Sequence, residues 1–432
     1  MYFFRLSFIV LVALAAGVSA PRAATSIWES VPDSVAASDT LSLTHALALV
    51  KRSSPLLRGH AHRVDGARSL VDQAGARPNP NVLFEAENVG GSYSGFDRSE
   101  LSLRLEQEIE LGGKRSKRID VAQRSWEETT SDAEAEAFDL YLETLARYAG
   151  VLHAEEQLRL ATATDTVVAG LAKSADDRVR VGATLMADAS LATVARVRSR
   201  TMIDDAVADR ARARLALSTL WSDTDGFDEA VAGIQPAAID VSLPADSAYA
   251  WAAAAPSVRR LRLASATLRA EAGLQRGLRT PNIVLGGGGR RVEEDDAYTF
   301  LFDVALPLPL WDRKGGAIHA ADAQLRASEL TVERARAETS SLISARIAAL
   351  DRARTRLAQT ENELVPALTK AFENMRTAYA IGRASYADLL DVTRTLIELE
   401  REANDTRLTI AEERIAIERL AGRTIEELMT HE

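Results

Sequence analysis

Between residues 101 and 111 the chain alternates. Leu101, Leu103, Leu105, Ile109 and Leu111 are apolar, and Ser102, Arg104, Glu106, Glu108 and Glu110 stand between them. A period of two sends successive side chains to opposite faces, so this segment predicts a strand with one apolar face and one heavily charged face. Phe300 to Leu310 alternates in the same way through Phe300, Phe302, Val304, Leu306, Leu308 and Leu310. Asn81 to Val89 and Asn282 to Val292 supply the preceding strands, with Ser92 to Ser99 and Glu293 to Tyr298 as polar connectors. Each strand is about ten residues, the length that crosses an outer membrane at a tilt. The same pattern also suits an amphipathic hairpin packed on a soluble core. On the membrane reading Leu101, Leu103 and Leu105 face lipid, while Arg104 and Glu106 face water. Four strands cannot close a barrel, and bare edges are not tolerated in lipid, so the membrane reading requires an oligomer.

The period then changes. From Lys114 to about Lys173 there is no proline, and Ala, Glu, Leu and Arg dominate. This predicts a helix about 90 Å long at 1.5 Å per residue. A second such helix runs from about Gly315 to Tyr379, interrupted only by Pro366, which should bend it because proline removes a helix hydrogen bond. Each ends near a glycine, Gly182 or Gly382, and is followed by another helix of roughly forty residues. In the last helix Leu389, Leu396, Ala403, Ile410 and Ile417 recur every seven residues, a seam for left-handed side-by-side packing. Shorter helices are predicted at about 41–77 and 247–279.

These elements occur twice. A shift of 201 positions superimposes Pro55 on Pro256, Pro80-Asn81 on Pro281-Asn282 and Leu105 on Leu306. After a one-residue gap the shift becomes 200, placing Gly182 on Gly382 and Ala187-Asp188 on Ala387-Asp388. The expected organisation is a leader at 1–24, a first repeat at 25–221, a linker at 222–246, a second repeat at 247–424 and a tail at 425–432.

Composition narrows the class. Aromatic residues make up only 5% of the chain, the palette of long helices and not of an aromatic-rich enzyme core. Arg5 followed by the apolar run Leu6 to Val18 and small residues up to Ala24 reads as a secretory signal, too short to span a bilayer as a helix. There is no cysteine, which excludes disulfides and argues against lipidation at an N-terminal cysteine. The formal net charge of −10 argues against a general nucleic-acid partner.

Several motifs carry a resemblance. Ala76-Arg77-Pro78-Asn79-Pro80 with Glu85-Ala86-Glu87-Asn88, Gln107 to Arg115, Leu306-Pro307-Leu308-Pro309-Leu310-Trp311-Asp312-Arg313, and Tyr379-Ala380-Ile381-Gly382 to Asp391 together resemble the TolC-type outer membrane efflux family. The resemblance covers nearly all of the chain after the leader, and the Gln107 to Arg115 junction is most similar to the CzcC-like branch associated with heavy-metal export. It implies a mainly α fold with a small β part: a homotrimer in which each protomer gives four strands to a twelve-stranded outer membrane β-barrel and long helices to a periplasmic α-barrel. It also implies partners, namely a periplasmic adaptor and an inner-membrane pump of the RND type, with outer membrane lipid around the barrel. Asp188, Tyr379, Asp388 and Asp391 become candidates for the periplasmic aperture. The arginine that helps to hold that aperture shut in the family's type member corresponds to Ala384, with Arg383 beside it, which puts the closing link in doubt.

The remaining motifs have plainer readings. Gly112 and Gly113 mark a swivel where strand becomes helix, with Gly315 and Gly316 in the matching place. They are not a phosphate loop, because Glu108 stands where a glycine is required. Lys114, Arg115, Lys117 and Arg118 suit headgroup contacts beneath the bilayer or a solvated first turn, and less well a nucleic-acid patch. Gly286 to Gly289 predicts a close-packed or bent strand. The histidines show no metal-ligand spacing, and no cofactor motif or catalytic constellation is found. Ser385 to Asp388 is a capping-box pattern, so Asp388 can cap its helix, contribute to an acidic ring, or do both. The leading function is a passive exit duct of a tripartite efflux system, with heavy-metal cations as the expected substrate. Its rivals are a duct for drug efflux or type I protein secretion, and a soluble periplasmic coiled-coil scaffold.

Overall fold

The structure is a computed structural model that describes residues 23–33, 40–90, 95–223, 226–227, 230–231 and 248–430. The leader expected at 1–24 lies almost wholly outside these residues, as does most of the 222–246 linker. The first half contains α1 (Ala23–Ser30), β1 (Thr40–Leu41), α2 (Leu43–Ser53), α3 (Pro55–Ala74), β2 (Asn81–Glu87), β3 (Glu100–Ile109), α4 (Lys114–Arg180) and α5 (Met186–Ser218). After β4 (Ala230–Val231) the second half repeats the order with α6 (Ala248–Ala254), α7 (Pro256–Leu278), β5 (Ile283–Val292), β6 (Ala297–Ala305), α8 (Gly315–Gln359), α9 (Val365–Ala380) and α10 (Tyr386–Ala421). A last helix, α11 (Ile425–Thr430), occupies the expected tail and buries Ile425 and Leu428.

The helices expected at 41–77 and 247–279 are each broken in two, at the same place in both repeats. Proline at a first helical position fixes the backbone for a new helix while donating no hydrogen bond to the preceding one. Pro55 opens α3 after Ser54, whose backbone is extended, and Pro256 opens α7 after Ala255.

The first long helix exceeds its expected length. α4 has 67 residues, seven beyond Lys173, and spans about 100 Å. α8 and α9 form one path of similar length, joined by a π-helical turn at Thr360–Leu364, with Val365 between the turn and Pro366. One extra residue in the turn relaxes the proline's demand on the preceding carbonyls, so the interruption is a π turn followed by helix and not a break.

The four longer strands form one antiparallel sheet in the order β2-β3-β5-β6. The strand expected at Phe300 to Leu310 lies earlier, at Ala297–Ala305. Beyond Ala305 the prolines Pro307 and Pro309 offer no N–H to a ladder, so the alternating leucines there continue outside the sheet.

Burial is concentrated in bands around the long helices. One band joins Trp28, Val50, Phe138, Leu142 and Ile415, with Trp28 Nε1 donating to Ala137 O at 2.8 Å. Beside it Tyr148 is fully buried and donates to Leu41 O at 2.9 Å, beneath the parallel pair β1–β4. A matching band in the second repeat joins Ala248, Ile343, Ile347, Leu350, Ile417 and Ile425. Along the α10 seam Leu389, Ala403 and Ile417 are buried, and Leu396 and Ile410 are half-buried.

Candidate functional site: a two-faced sheet and paired helical turns

The register gives the sheet two faces of opposite character. Val82, Leu105, Gly287 and Phe302 form one row, and Phe84, Leu103, Gly289 and Phe300 form the next. These apolar side chains are bare in the single chain: Leu103 is 58% and Phe300 88% exposed. The opposite face carries Glu85, Glu87, Glu100, Ser102, Arg104, Glu106, Glu108, Arg290 and Asp303. Arg104 donates to Glu85 at 2.6 Å, and Arg290 donates to Ser102 Oγ at 3.0 Å and pairs with Glu87 at 3.5 Å. The expected division of Leu101, Leu103 and Leu105 from Arg104 and Glu106 is the division between these faces. Arg104 is nevertheless drawn down among carboxylates, with its side chain only 22% exposed.

At the base of the sheet the chain turns into its long helices. Gly112 and Gly113 both take the left-handed conformation, and Gly113 caps α4. A Cβ on Gly112 would lie 2.8 Å from the Thr280 side chain, so the close approach of the α7–β5 turn also demands glycine. The second repeat corrects the expected match: the left-handed residue is Lys314, which caps α8, and Gly315 and Gly316 lie inside its first turn. At the 201-residue shift Gly113 falls on Lys314, so the geometry is kept while the residue type is not. Asp312 Oδ1 accepts the Lys314 N–H at 2.9 Å, which helps to hold that strained position. Lys114 is neither a headgroup ligand nor solvated; it is buried and donates to Asn282 Oδ1. Arg115 donates to Gly75 O at 2.6 Å, and Arg118 holds Glu110, whose carboxyl it keeps below the usual range.

At the far end of the helices two turns lie together. Gly182 and Gly382 have φ of 73° and 78°. In each turn the next residue's N–H reaches back to close the helix, Ala183 to Arg178 O and Arg383 to Ala378 O, both at 2.8 Å. Arg178, which the sequence did not single out, joins the turns. Its Nη1 donates to Tyr379 O at 2.6 Å and Ala380 O at 3.2 Å, and its guanidinium lies 4.8 Å from the Tyr379 ring centroid. A cation at a helix C-terminus is favourable, but here the helix belongs to the other repeat, about two hundred residues away in sequence. The signal that could have found it is the break in repetition at the 200-residue shift, where Arg178 falls on Ala378.

Tyr379 is buried against Tyr386, with ring centroids 5.9 Å apart, in a cluster with Val168, Leu171, Ala192 and Leu389. Neither hydroxyl has a hydrogen-bond partner among the described residues. Burial pushes the Tyr386 phenol up to about 12 and also raises Tyr379, and the Asp188 charge adds to both shifts. Asp188 is half-buried and accepts from the Thr184 hydroxyl. Asp388 completes a capping box: its N–H donates to Ser385 Oγ at 3.1 Å and its carboxylate accepts the Ser385 N–H at 3.2 Å. The Ser385 hydroxyl, and then the backbone, hold the Asp388 carboxyl below its usual range. Asp391 is exposed one turn farther along α10. Ala384 packs at the edge of the tyrosine cluster, and Arg383 makes no ion pair among the described residues.

Among the described residues no group of three or more His, Asp or Glu side chains is placed to hold a metal ion, and no helix is long and apolar enough to cross a membrane. The fold is that of known channels. A membrane protein from Pseudomonas aeruginosa superposes with a TM-score of 0.78 at 18% identity, covering 98% of each chain. The structure of CusC, described in terms of transmembrane channel formation, superposes with a TM-score of 0.77 at 17% identity over 88% of this chain and 92% of that one. In sequence, the cobalt-zinc-cadmium resistance protein CzcC of Cupriavidus metallidurans is 27% identical over 84% of this chain and 85% of its own. The profile of the outer membrane efflux protein family matches residues 46–222 and 249–423, both repeats. Members of that family act with periplasmic adaptors and inner-membrane pumps. The chain belongs to the outer membrane efflux protein family, and it is an efflux channel component and not an enzyme.

Proposed function

We propose that this chain is the outer membrane exit duct of a tripartite system that exports heavy-metal cations. The observation that carries the duct reading is the sheet. Its apolar face is bare, its opposite face is charged, and β2 and β6 each leave an edge unpaired among the described residues. Such edges are not tolerated in lipid, so three copies join them into a twelve-stranded barrel, and their helices continue it into the periplasm as an α-barrel. A leader at 1–24 directs export. A periplasmic adaptor and an RND-type inner-membrane pump complete the route and supply the driving force, while the duct itself is passive.

Two features favour cations. The similarity to CzcC extends over most of both chains. The polar face of the sheet also carries more carboxylates than guanidiniums, which raises the local cation concentration in a water-filled path. Asp188, Asp388 and Asp391 add carboxylates near the periplasmic end, with Tyr379 in the packed shaft beside them. A deletion strain is expected to accumulate cobalt, zinc or cadmium by elemental analysis and to lose tolerance to the same ion, with restoration by the cloned gene. Unchanged metal content together with loss of drug tolerance or protein secretion would transfer the duct to one of those systems.

A further inference from the structure

Of the four consecutive glycines of β5, Gly286 and Gly288 give up their side-chain space to neighbours. On the polar face a Cβ at Gly288 would lie 2.2 Å from Leu103 O and 2.9 Å from Arg104 Cγ. A Cβ at Gly286 would lie 2.3 Å from both carboxylate oxygens of Asp303. The missing side chains leave a trough across β5. From β3 the Arg104 stem lies along it, and from β6 the Asp303 carboxylate folds into it. The guanidinium therefore sits between Glu85 on β2, at 2.6 Å, and Asp303 on β6, at 3.8 Å. Asp303 Oδ1 is buried and has no hydrogen-bond partner among the described residues, so the Arg104 charge is the compensation nearest to it.

Arg104 differs from the other arginine of this face. Arg290 lies toward the loop end of the sheet, beside Glu87 and Glu100, the last and first residues of their strands. Arg104 lies near the middle of β3. Glu106, two residues along the same face, has no ion pair among the described residues.

We propose that Arg104 is a specificity-determining residue of the channel: it sets the balance between cation and anion passage through the membrane-spanning barrel by neutralising Glu85 and Asp303. This rests on the reading that the polar face lines the conduit. Three copies place three guanidiniums, each shared between two carboxylates, around one axis in a path with low-dielectric walls. There a change of one charge per copy acts on every passing ion. The glycine trough keeps the guanidinium against the wall, so the charge is present without a side chain obstructing the path.

The test is the reversal potential of the purified full-length protein in planar bilayers under a potassium chloride gradient. Arg104→Gln exposes two carboxylates and is expected to raise the cation-to-anion permeability ratio by about two-fold or more. Arg104→Lys should keep the wild-type value, and Arg104→Gln with Asp303→Asn should return toward it. Asp303→Asn or Glu85→Gln alone should move the ratio toward anions, and these variants carry the test if Arg104→Gln does not assemble. An assembled, conducting Arg104→Gln channel with an unchanged reversal potential overturns the proposal. So does a shift that the second substitution fails to reverse. Failure of the underlying reading looks different: no conductance at all, and no reaction of a cysteine at position 106 with a water-borne thiol reagent.

Discussion

Asp388 caps α10 and keeps its charge while doing so. Its carboxyl is held below the usual range by the Ser385 hydroxyl first and the Ser385 N–H second. A carboxylate whose folded pKa is lowered contributes its stability above its unfolded pKa, and loses it as pH falls through the folded value. The α10 cap is therefore intact at neutral pH and opens in acid, below about pH 4. Amide protection at residues 386–390, taken relative to the intrinsic exchange rate at each pH, should fall there, and Asp388→Asn should show the low protection already at pH 7. The same carboxylate is free to act on ions, because capping uses hydrogen bonds and leaves the charge. Combining Asp388→Asn with Asp391→Asn should thus also reduce cation preference and weaken block by multivalent cations in single-channel recordings. Lower protection with unchanged selectivity would reduce Asp388 to a cap, and a dissolved trimer would refute the placement of this turn. The cap itself was legible, since Ser385 and Asp388 are three residues apart. Arg178 was not, because its partners Tyr379 and Ala380 lie in the other repeat and no local spacing joins them.

At the scale of elements, periodicity located strands and long helices, and the errors came from prolines and glycines. Alternation continues past Ala305 to Leu310, yet the ladder stops, because Pro307 and Pro309 cannot donate to it. Pro366 announces an interruption, but whether the chain kinks or inserts a π turn depends on packing that the pattern does not encode. At the second strand-to-helix junction Gly315 and Gly316 suggest the swivel, while Lys314 adopts the left-handed conformation. The run Gly286 to Gly289 is informative in a different way. Gly288 is required by the approach of β3, whereas a Cβ at Gly287 would meet the Phe302 ring and Leu301 O only at ordinary contact distances. Gly288→Ala should therefore disrupt the β3–β5 ladder, reducing recovery of heat-stable assembled protein several-fold. Gly287→Ala should assemble as the wild type does. Equal behaviour of the two variants in a gel-shift assay of assembly would remove the trough as a structural requirement.

At the scale of the molecule, a chain of 432 residues spreads its buried residues in bands along helices about 100 Å long and leaves a sheet with one bare apolar face. Such a face is stable in water only if covered, and in lipid only if the sheet closes on itself. On the proposed reading the two conditions meet in a barrel built from several copies, with lipid against Val82, Phe84, Leu103, Leu105, Phe300 and Phe302. This predicts a labelling pattern along β3 in native outer membranes. Cysteines at 101, 103 and 105 should react poorly with a membrane-impermeant thiol reagent and should become reactive when the protein is denatured. A cysteine at 106 should react strongly, since it lies on the polar face with no ion pair to displace. Position 104 should react as well, more slowly than 106, because Glu85 and Asp303 close around it and repel an anionic reagent. Reaction at 103 and 105 equal to that at 106 would mean that water reaches both faces, and the sheet would not be a membrane wall. Reaction at none of these positions in membranes, with full reaction after denaturation, would place the whole strand in a protein interior and exclude the polar face from the conduit.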